Sequence, residues 1–480
     1  MSSQQNAGVE LCSFFIFNST FGPREGEEEN KIIYYHPPSA DINSKVKDVG
    51  LVEALVQFSR TFNSESPLLS MQTLKQKHFF LEPEKDFFMT LVVRQPVEEV
   101  TRNNSPYKEY TPEAVQQSVY LSVLRHMYQM YRLLRGTLAA QSREELVRST
   151  AEIFDSYVPV LRLQQRDIRD VYGGVRFLSL DRLAFLKLQS FVNQLEVLHP
   201  FIRHSVIYYK QHLIWSGLGK TNMGIIHWYL ETVLFPECGP ERPAVWKDRT
   251  APTSGVFMST EASGDGTDSF LAPPIVHLRK HNCTALPLGG AADGCSRDGD
   301  DSWNGGDPVE ATDERAQLVL YRLRDVVVVL LVDLEVRLTL PLCRELDASM
   351  AGPVQELSTL LSSVINDDKS SGKDDGDTKL IYYNRCNRAQ KSSLHGPTAA
   401  SVPSDALQLM VDLREDALRF QGDGGAIFGR AMNETWVAGR VNPNREFFSV
   451  VQQKNMNLMD VNNEMEQLCK DQFSTIFFPA

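Results

Sequence analysis

The first 62 residues hold the pattern that most restricts the fold of this chain. An apolar stretch ends at Asn18, a turn rich in Gly and Glu follows, and a second apolar stretch covers Ile32–Tyr35. Apolar side chains then recur at spacings of four, three and four residues, at Leu51, Leu55, Phe58 and Phe62. Because this spacing places them on one face of a helix, the segment predicts a strand, a turn, a second strand and a helix.

The composition is that of a globular protein large enough for several domains. The chain has 480 residues, of which 42% are hydrophobic and 23% are charged. At roughly 150 residues per domain, about three domains are expected, each able to bury its own core. The net charge of −12 argues against nucleic acid as a partner, because an acidic chain repels phosphate backbones.

The cysteines and the apolar runs indicate a cytoplasmic protein whose membrane association, if any, is peripheral. The seven cysteines are odd in number and form no Cys-x-x-Cys pair, so reduced thiols are expected. The N-terminus, MSSQQNAGVE, is too polar for a signal peptide. The longest apolar run, Val326–Val332, has seven residues, far fewer than the roughly 20 that span a bilayer. This run predicts a buried strand.

Three ordered blocks are expected, at residues 11–161, 175–365 and 379–480. A stretch dense in Gly, Pro, Asp and Ser, at about 237–315, interrupts the second block. Most of it is predicted to be disordered, because it cannot bury enough apolar area to offset its chain entropy. Short strands are predicted inside it at Val256–Ser259 and Ile275–Leu278.

Each block is predicted to be an α/β unit of the α+β kind, an antiparallel sheet with helices on its faces. The second block is predicted to begin with a strand over Val175–Leu180. Its last helix, Leu342–Val364, is predicted to break at Gly352-Pro353.

A short internal repeat gives weak support to three similar units. The tetrapeptides IIYY, VIYY and LIYY begin at Ile32, Val206 and Leu380, each on a strand near the start of a block. The repeated order of early strands, helix, further strands and helix is the better argument for the same conclusion.

The motifs of enzymes are incomplete in this chain. Gly217–Thr221 resembles the end of a phosphate-binding loop, but Ile214 stands where that loop needs its first glycine. The pair His277 and His281, with the cysteines that follow, lies in a Pro- and Gly-rich region rather than on a helix that could present both to one metal. No catalytic residue, cofactor or metal is therefore expected, and a surface turn and a solvated loop are the preferred interpretations.

The wording of several long segments is similar to one family of trafficking proteins. The chain resembles the calcium-caffeine-zinc sensitivity vacuolar fusion (Ccz-one) family in stretches that include FGPREGEEENKI, VGLVEALVQFSRTF, FLSLDRLAFLKLQSFVNQLE and QQKNMNLMDVNNEMEQLCKDQF. The resemblance covers nearly all of the ordered chain but not the 237–315 stretch. It implies three longin domains, the first of which opens with the strand, turn, strand and helix described above.

The resemblance also implies a function without side-chain catalysis. Members of the family pair with a second three-longin subunit, the monensin-sensitivity (Mon-one) protein, to form an exchange factor for the late-endosomal GTPase Rab-seven. A third regulatory subunit is implied in animals, as is recruitment to late-endosomal and lysosomal (vacuolar) membranes that carry phosphoinositide. An alternative is a longin-type vesicle adaptor or tethering subunit that binds a Rab without accelerating nucleotide release. A conventional hydrolase is disfavoured by the incomplete motifs.

The candidate interface residues follow from the same resemblance, which implies that the first longin domains of the two subunits form the GTPase platform. On the second strand they are Ile33 and Tyr35, and on the helix they are Val52, Val56 and Gln57. The helix candidates lie off the face of the Leu51-to-Phe62 series, which is expected to pack on the sheet. Two valines on the opposite face would then need cover from a partner.

Overall fold

The computed structural model describes residues 9–63, 67–102, 105–235, 246–247, 254–258, 261–263, 270–279, 313–370, 379–395, 402–419, 425–452 and 456–477. The strands within these ranges are β1 (Glu10–Asn18), β2 (Ile32–His36), β3 (Ser70–Gln72), β4 (Gln76–Glu84), β5 (Phe87–Arg94), β6 (Val97–Arg102), β7 (Ser105–Tyr110), β8 (Ile202–Tyr209), β9 (His212–Ser216), β10 (Trp246–Lys247), β11 (Val256–Met258), β12 (Glu261–Ser263), β13 (Phe270–Ala272), β14 (Ile275–Leu278), β15 (Glu314–Leu323), β16 (Val326–Val332), β17 (Leu338–Thr339), β18 (Lys379–Asn384), β19 (Ala389–Ser392), β20 (Gly425–Arg430), β21 (Trp436–Asn442) and β22 (Arg445–Val451). The α-helices are α1 (Ile42–Phe62), α2 (Gln117–Arg135), α3 (Arg143–Tyr157), α4 (Ile168–Tyr172), α5 (Arg182–Leu198), α6 (Lys220–Tyr229), α7 (Leu340–Ser370), α8 (Ser404–Arg419) and α9 (Leu458–Phe477).

The first domain is built on a five-stranded antiparallel sheet in the order β2-β1-β5-β4-β3. Phenylalanines alternate along β1, so that Phe15 and Phe17 face α1 while Phe14 faces the opposite side, where α2 and α3 pack. Alternation of this kind follows from the two-residue period of a strand. The sheet is therefore covered by helices on both faces.

The second domain has the sheet order β10-β11-β15-β16-β8-β9, with β14 also paired to β15. The apolar run Val326–Val332 forms β16, and every residue of it is buried, as the sequence predicted. One face of this sheet packs against α6 and the other against α5 and α7. The predicted strands at 256 and 275 are present as β11 and β14. Within 237–315 the structure also describes the short strands β10, β12 and β13, the start of β15 and a few residues next to these strands. The other residues of this stretch lie outside the described ranges.

The third domain repeats the arrangement of the first, with the sheet order β19-β18-β22-β21-β20. One of its faces packs against α8 and the other against α9. In each domain, therefore, the opening strand lies between its hairpin partner and a later strand, and the helix that follows the hairpin covers one face.

The three domains meet around α2, α4, α6 and α8, whose apolar side chains belong to a single continuous core. The helices that follow the opening hairpins of the second and third domains, α6 and α8, face this centre. The equivalent helix of the first domain, α1, lies on the outer face of its sheet and belongs to a separate core. The first domain is therefore turned over relative to the other two.

Two local predictions are wrong. The strand predicted at Val175–Leu180 is instead a connection that makes two isolated parallel bridges, Val175 to Ala389 and Phe177 to Leu213, because it runs between the edge strands β19 and β9 of two domains. The helix α7 continues through Pro353 without a break. The three tetrapeptides do lie on early strands, as predicted, with the one at Ile32 on the edge strand β2 and the other two on β8 and β18 inside their sheets.

Candidate partner-binding surface

The helix α1 packs on its sheet through valines. Val49, Val52 and Val56 are 2%, 1% and 6% exposed and are the buried residues of this helix. They contact a sheet surface made of large aromatic side chains, namely Phe15, Phe17, Phe80 and Phe88. Since these rings already fill the space above the sheet, close packing requires small side chains on the helix.

The prediction of which α1 face packs on the sheet is therefore wrong. Val52 and Val56, expected on the outer side, lie in the core. The series expected in the core lies outside, with Leu51 48%, Phe58 63% and Phe62 75% exposed and Leu55 half-buried. Both series have helical spacing, so periodicity alone could not separate them.

The outer series, Leu51, Leu55, Phe58 and Phe62, forms one apolar stripe, which we call the α1 outer face. The rings of Phe58 and Phe62 pack edge to face, with their centroids 4.8 Å apart. Side chains of this size in one exposed stripe typically mark a surface that another protein covers. Aromatic residues are also enriched in protein interfaces.

Polar contacts hold α1 in a fixed place on the domain. The Asp41 side chain caps its N-terminus by accepting a hydrogen bond from the Asn43 amide at 3.1 Å. Lys31, in the turn before β2, donates to both oxygens of Glu53 at 2.9 and 2.8 Å. Near the other end, Arg60 pairs with Glu82 of β4. The outer face is thus presented by a helix that is anchored along its whole length.

The two candidates on β2 have different surroundings. Ile33 is 4% exposed and belongs to the core beneath α3, so its side chain is not available on the surface. Tyr35 is half-buried beside α1, stacks on Phe15 and donates a hydrogen bond to Asp48 at 2.6 Å. Burial and the Asp48 carboxylate raise the pKa of Tyr35 above its ordinary value, which keeps the phenol protonated as this donor.

The edge of β2 is a second feature of this surface. Among the described residues β2 pairs only with β1, and it forms the edge of the first sheet next to α1. An edge strand exposes backbone groups that a strand of another protein can pair with. Of the five sequence-predicted residues, Gln57 is exposed on α1, Tyr35 is partly accessible, and the other three are buried.

The rejected motifs lie in ordinary structural positions. Gly217–Thr221 forms the turn between β9 and the start of α6. His277 lies in β14 beside Gly136, while His281, Cys283 and Cys295 fall outside the described residues.

The repeated sheet, hairpin and helix arrangement defines a protein of three longin-type domains, and comparison with family profiles supports this class. The profile described as the first longin domain of INTU, CCZ1 and HPS4 matches residues 11–136. Those of Intu longin-like domains 2 and 3 match residues 202–351 and 374–468. The predicted α/β fold of three longin domains is thus confirmed.

Full-length relatives identify the family. The chain is 35% identical to the vacuolar fusion protein CCZ1 homolog of Xenopus tropicalis, over 98% of this chain and 97% of that protein. It is 36% identical to the Danio rerio homolog, over 98% and 95% of the two chains, and 34% identical to that of Nematostella vectensis, over 98% of each. The chain belongs to the CCZ1 family of vacuolar fusion proteins. In the part of the chain that the structure describes, no helix is long and apolar enough to cross a membrane.

Proposed function

We propose that this chain acts in vesicle traffic to the vacuole or lysosome, as one subunit of a two-subunit guanine-nucleotide exchange factor. Its partner is the Mon-one subunit and its substrate is the late-endosomal GTPase Rab-seven, whose activation promotes endosome maturation and fusion with the lysosome, autophagy included. The observation that carries the proposal is the α1 outer face, an apolar stripe on the one domain whose hairpin helix does not face the centre of the molecule.

The same surface fits the assembly that the proposal requires. A Mon-one longin domain covers the α1 outer face and the adjoining edge of β2, and the two first domains together form the platform for the GTPase. A third regulatory subunit and a phosphoinositide-bearing membrane complete the assembly on the late endosome. Val52 and Val56 have no role as contacts, since they are core residues.

Binding energy alone is enough for exchange. A factor that binds nucleotide-free GTPase more tightly than the loaded form accelerates release, and a thousandfold acceleration corresponds to about 4 kcal/mol. Burial of one large apolar side chain contributes about 1.5–3 kcal/mol. Burial of a few side chains in an interface with the GTPase therefore supplies enough free energy for exchange, with no acid, base or nucleophile.

The direct test is release of a fluorescent guanine nucleotide from Rab-seven. We would compare this chain alone, the Mon-one subunit alone and the two mixed, and we expect acceleration only with the mixture. Unchanged release with the mixture would contradict the exchange proposal. If the chain then bound the GTP form more tightly than the nucleotide-free form, it would belong to the vesicle adaptors and tethers.

The surface is tested by a variant and a matched control. Phe58→Ser with Phe62→Ser should weaken binding of the Mon-one subunit at least tenfold, because it removes the two most exposed rings of α1. The control is Leu183→Ser with Leu186→Ser on α5, which removes two residues of similar exposure from another domain. Equal binding by wild type and the α1 variant would rule out the α1 outer face as the interface.

A further inference from the structure

A cavity of about 1020 Å³ lies where the three domains and the connection between the first two meet. Its walls come from α2 and α3 of the first domain, from the connection at 159–176, and from the end of α6 with the turn that follows it. Gln390 of β19 adds a wall from the third domain. No feature of the proposed exchange surface involves this cavity.

Four arginines from one short segment line the cavity: Arg162, Arg166, Arg169 and Arg176. They are arranged by depth, since the Arg166 side chain is 19% exposed, Arg169 32% and Arg176 45%, and Arg162 is exposed. The guanidinium groups therefore extend from the floor to the mouth. In a chain with a net charge of −12, this concentration of positive charge is unusual.

Carboxylates hold the two inner arginines and leave the two at the mouth without one at hydrogen-bond distance in the described part of the chain. Arg169 donates to both oxygens of Asp167 at 3.0–3.1 Å. Glu152 is paired with Arg135, which lies outside the lining. Asp170 accepts a hydrogen bond from Arg166 at 2.9 Å. Glu231 is 3.7 Å from Arg176, too long for a hydrogen bond, and burial raises its pKa above the ordinary value. Among the described residues Arg162 has no ion pair.

Several buried polar atoms in the walls lack a hydrogen-bond partner within the described structure. They are both ring nitrogens of His227, the Tyr157 hydroxyl and Nε of Arg166. His227 is 2% exposed and Tyr157 is 5% exposed. Buried polar groups are nearly always satisfied, so these atoms need a partner inside the cavity, which water or a ligand can supply.

A histidine lies next to these arginines. His126 lines the cavity, and its ring stacks on Trp228. Its pKa is lowered to about 3, first by burial and then by the charges of Arg166, Arg388 and Arg125. The imidazole is therefore neutral.

We infer that this cavity binds a small polyphosphorylated anion. Guanidinium forks match phosphate oxygens in geometry, and arginine is the preferred residue for holding phosphate. Within the described residues, Arg162 and Arg176 have no carboxylate at hydrogen-bond distance and are free to bind it, and a space of about 1020 Å³ has room for a compact molecule with several phosphate groups. A ligand there would join the connecting segment to all three domains.

The inference is tested with the full chain and inositol hexakisphosphate as the probe. Isothermal titration in 150 mM salt should show one site, and the melting temperature should rise with ligand, because the ligand binds the folded state. The variant Arg162→Gln with Arg176→Gln removes the two accessible cations and should weaken binding at least tenfold. Both side chains lie at the mouth, so the variant should fold normally.

The control is Arg24→Gln with Arg182→Gln, which makes the same change in net charge at exposed positions outside the cavity lining. Absence of binding to wild type, or equal weakening in the control, would overturn the inference. A second experiment separates the two sources of such phosphates, free in solution or on a lipid headgroup. Vesicles with bisphosphorylated inositol lipid that bind wild type but not the cavity variant indicate a headgroup, and vesicle binding unaffected by the variant, with the soluble probe still bound, indicates a soluble ligand.

Discussion

Glu446 is the most completely buried charge of the third domain, with no exposed surface. Arg385 donates to its Oε1 at 2.8 and 2.6 Å, and Arg414 donates to its Oε2 at 2.7 Å. The hydroxyl of Tyr172, from the connection between the first two domains, donates to the same carboxylate at 2.9 Å. A buried carboxylate is tolerated because each of its oxygens has charged or hydroxyl donors, and the cluster ties a remote segment to the domain.

Replacement of this carboxylate should destabilise the protein strongly. Glu446→Gln removes the buried negative charge to which Arg385 and Arg414 donate, and we expect a loss of about 3 kcal/mol in the free energy of unfolding at pH 7. The exposed Glu335→Gln serves as the control and should change stability by less than about 0.5 kcal/mol. Urea unfolding followed by circular dichroism measures both, and equal stability of the two variants would contradict the role of the cluster.

The same pair of proteins gives a pH test. Burial would raise the pKa of Glu446, but Arg414 and Arg385 outweigh it and hold the pKa below the ordinary value of 4.5. A depressed carboxylate pKa contributes stability above the unfolded value, and this contribution is lost as the pH falls through the folded value. The gap between wild type and Glu446→Gln should therefore be full at pH 7 and shrink below about pH 4.5. A gap independent of pH would show that Glu446 is not ionised in the folded protein.

At the scale of the element, α1 differs from α6 and α8 because one of its apolar faces is exposed. Its inner face carries the valines that fit over the aromatic sheet, and its outer face carries two phenylalanines in the open. In α6 nearly every residue is buried, because the centre of the molecule covers the face that α1 leaves free. The helix that follows the opening hairpin thus packs in the centre of the molecule in the second and third domains. In the first domain it leaves an apolar face exposed, where we propose that a partner binds.

The two faces of α1 should respond differently to truncation. Val52→Ala should cost about 2 kcal/mol of unfolding free energy through lost burial and a residual cavity, and leave partner affinity unchanged. Phe58→Ala should leave the stability of the isolated chain within about 0.5 kcal/mol and weaken partner binding. Thermal unfolding and a binding titration on each variant separate the effects. The opposite assignment, with Val52→Ala weakening binding at full stability, would restore the original prediction for this helix.

The sequence predicted most elements well because their local signals agree with their environment. The buried strand at Val326 is an example, because its unbroken apolar run agrees with its place in the middle of a sheet. The interface residues were harder to predict, because the two apolar stripes on α1 have the same helical period and only packing on the sheet distinguishes them. The aromatic alternation in β1 was the available signal, since a sheet face of phenylalanines favours small partners. The strand prediction at Val175 was wrong for a different reason: the segment runs between the edges of two sheets, and one of them, at β19, is more than 200 residues away in sequence.

At the scale of the whole molecule, one apolar core runs through all three domains. Polar contacts reinforce it, for instance between Gln116 and Asp412 at 2.7 Å and between Asp167 and His395 at 2.7 Å. Separate longin domains on flexible linkers would have separate cores. In this protein one face of each domain packs into the same core, so the three domains should unfold together.

Cooperativity is tested by two valines of the third domain that lie on opposite faces of its sheet. Val411 on α8 belongs to the common core, and Val461 on α9 belongs to the outer core of that domain alone. Val411→Ala should raise amide hydrogen exchange in α2 and α6 as well as in the third domain. Val461→Ala should raise exchange within the third domain first. Exchange confined to the third domain in both variants would show that the domains open independently.

The contact between Tyr172 and Glu446 also bears on how the chain is made. The two residues are 274 positions apart. At 5–20 residues per second, a ribosome needs roughly 14 to 55 s between them. During that interval the first two domains have emerged while the face reserved for α8 is still uncovered. Nascent chains of this protein therefore expose this apolar face for that interval. A message truncated after the second domain would yield a product in which the face is never covered.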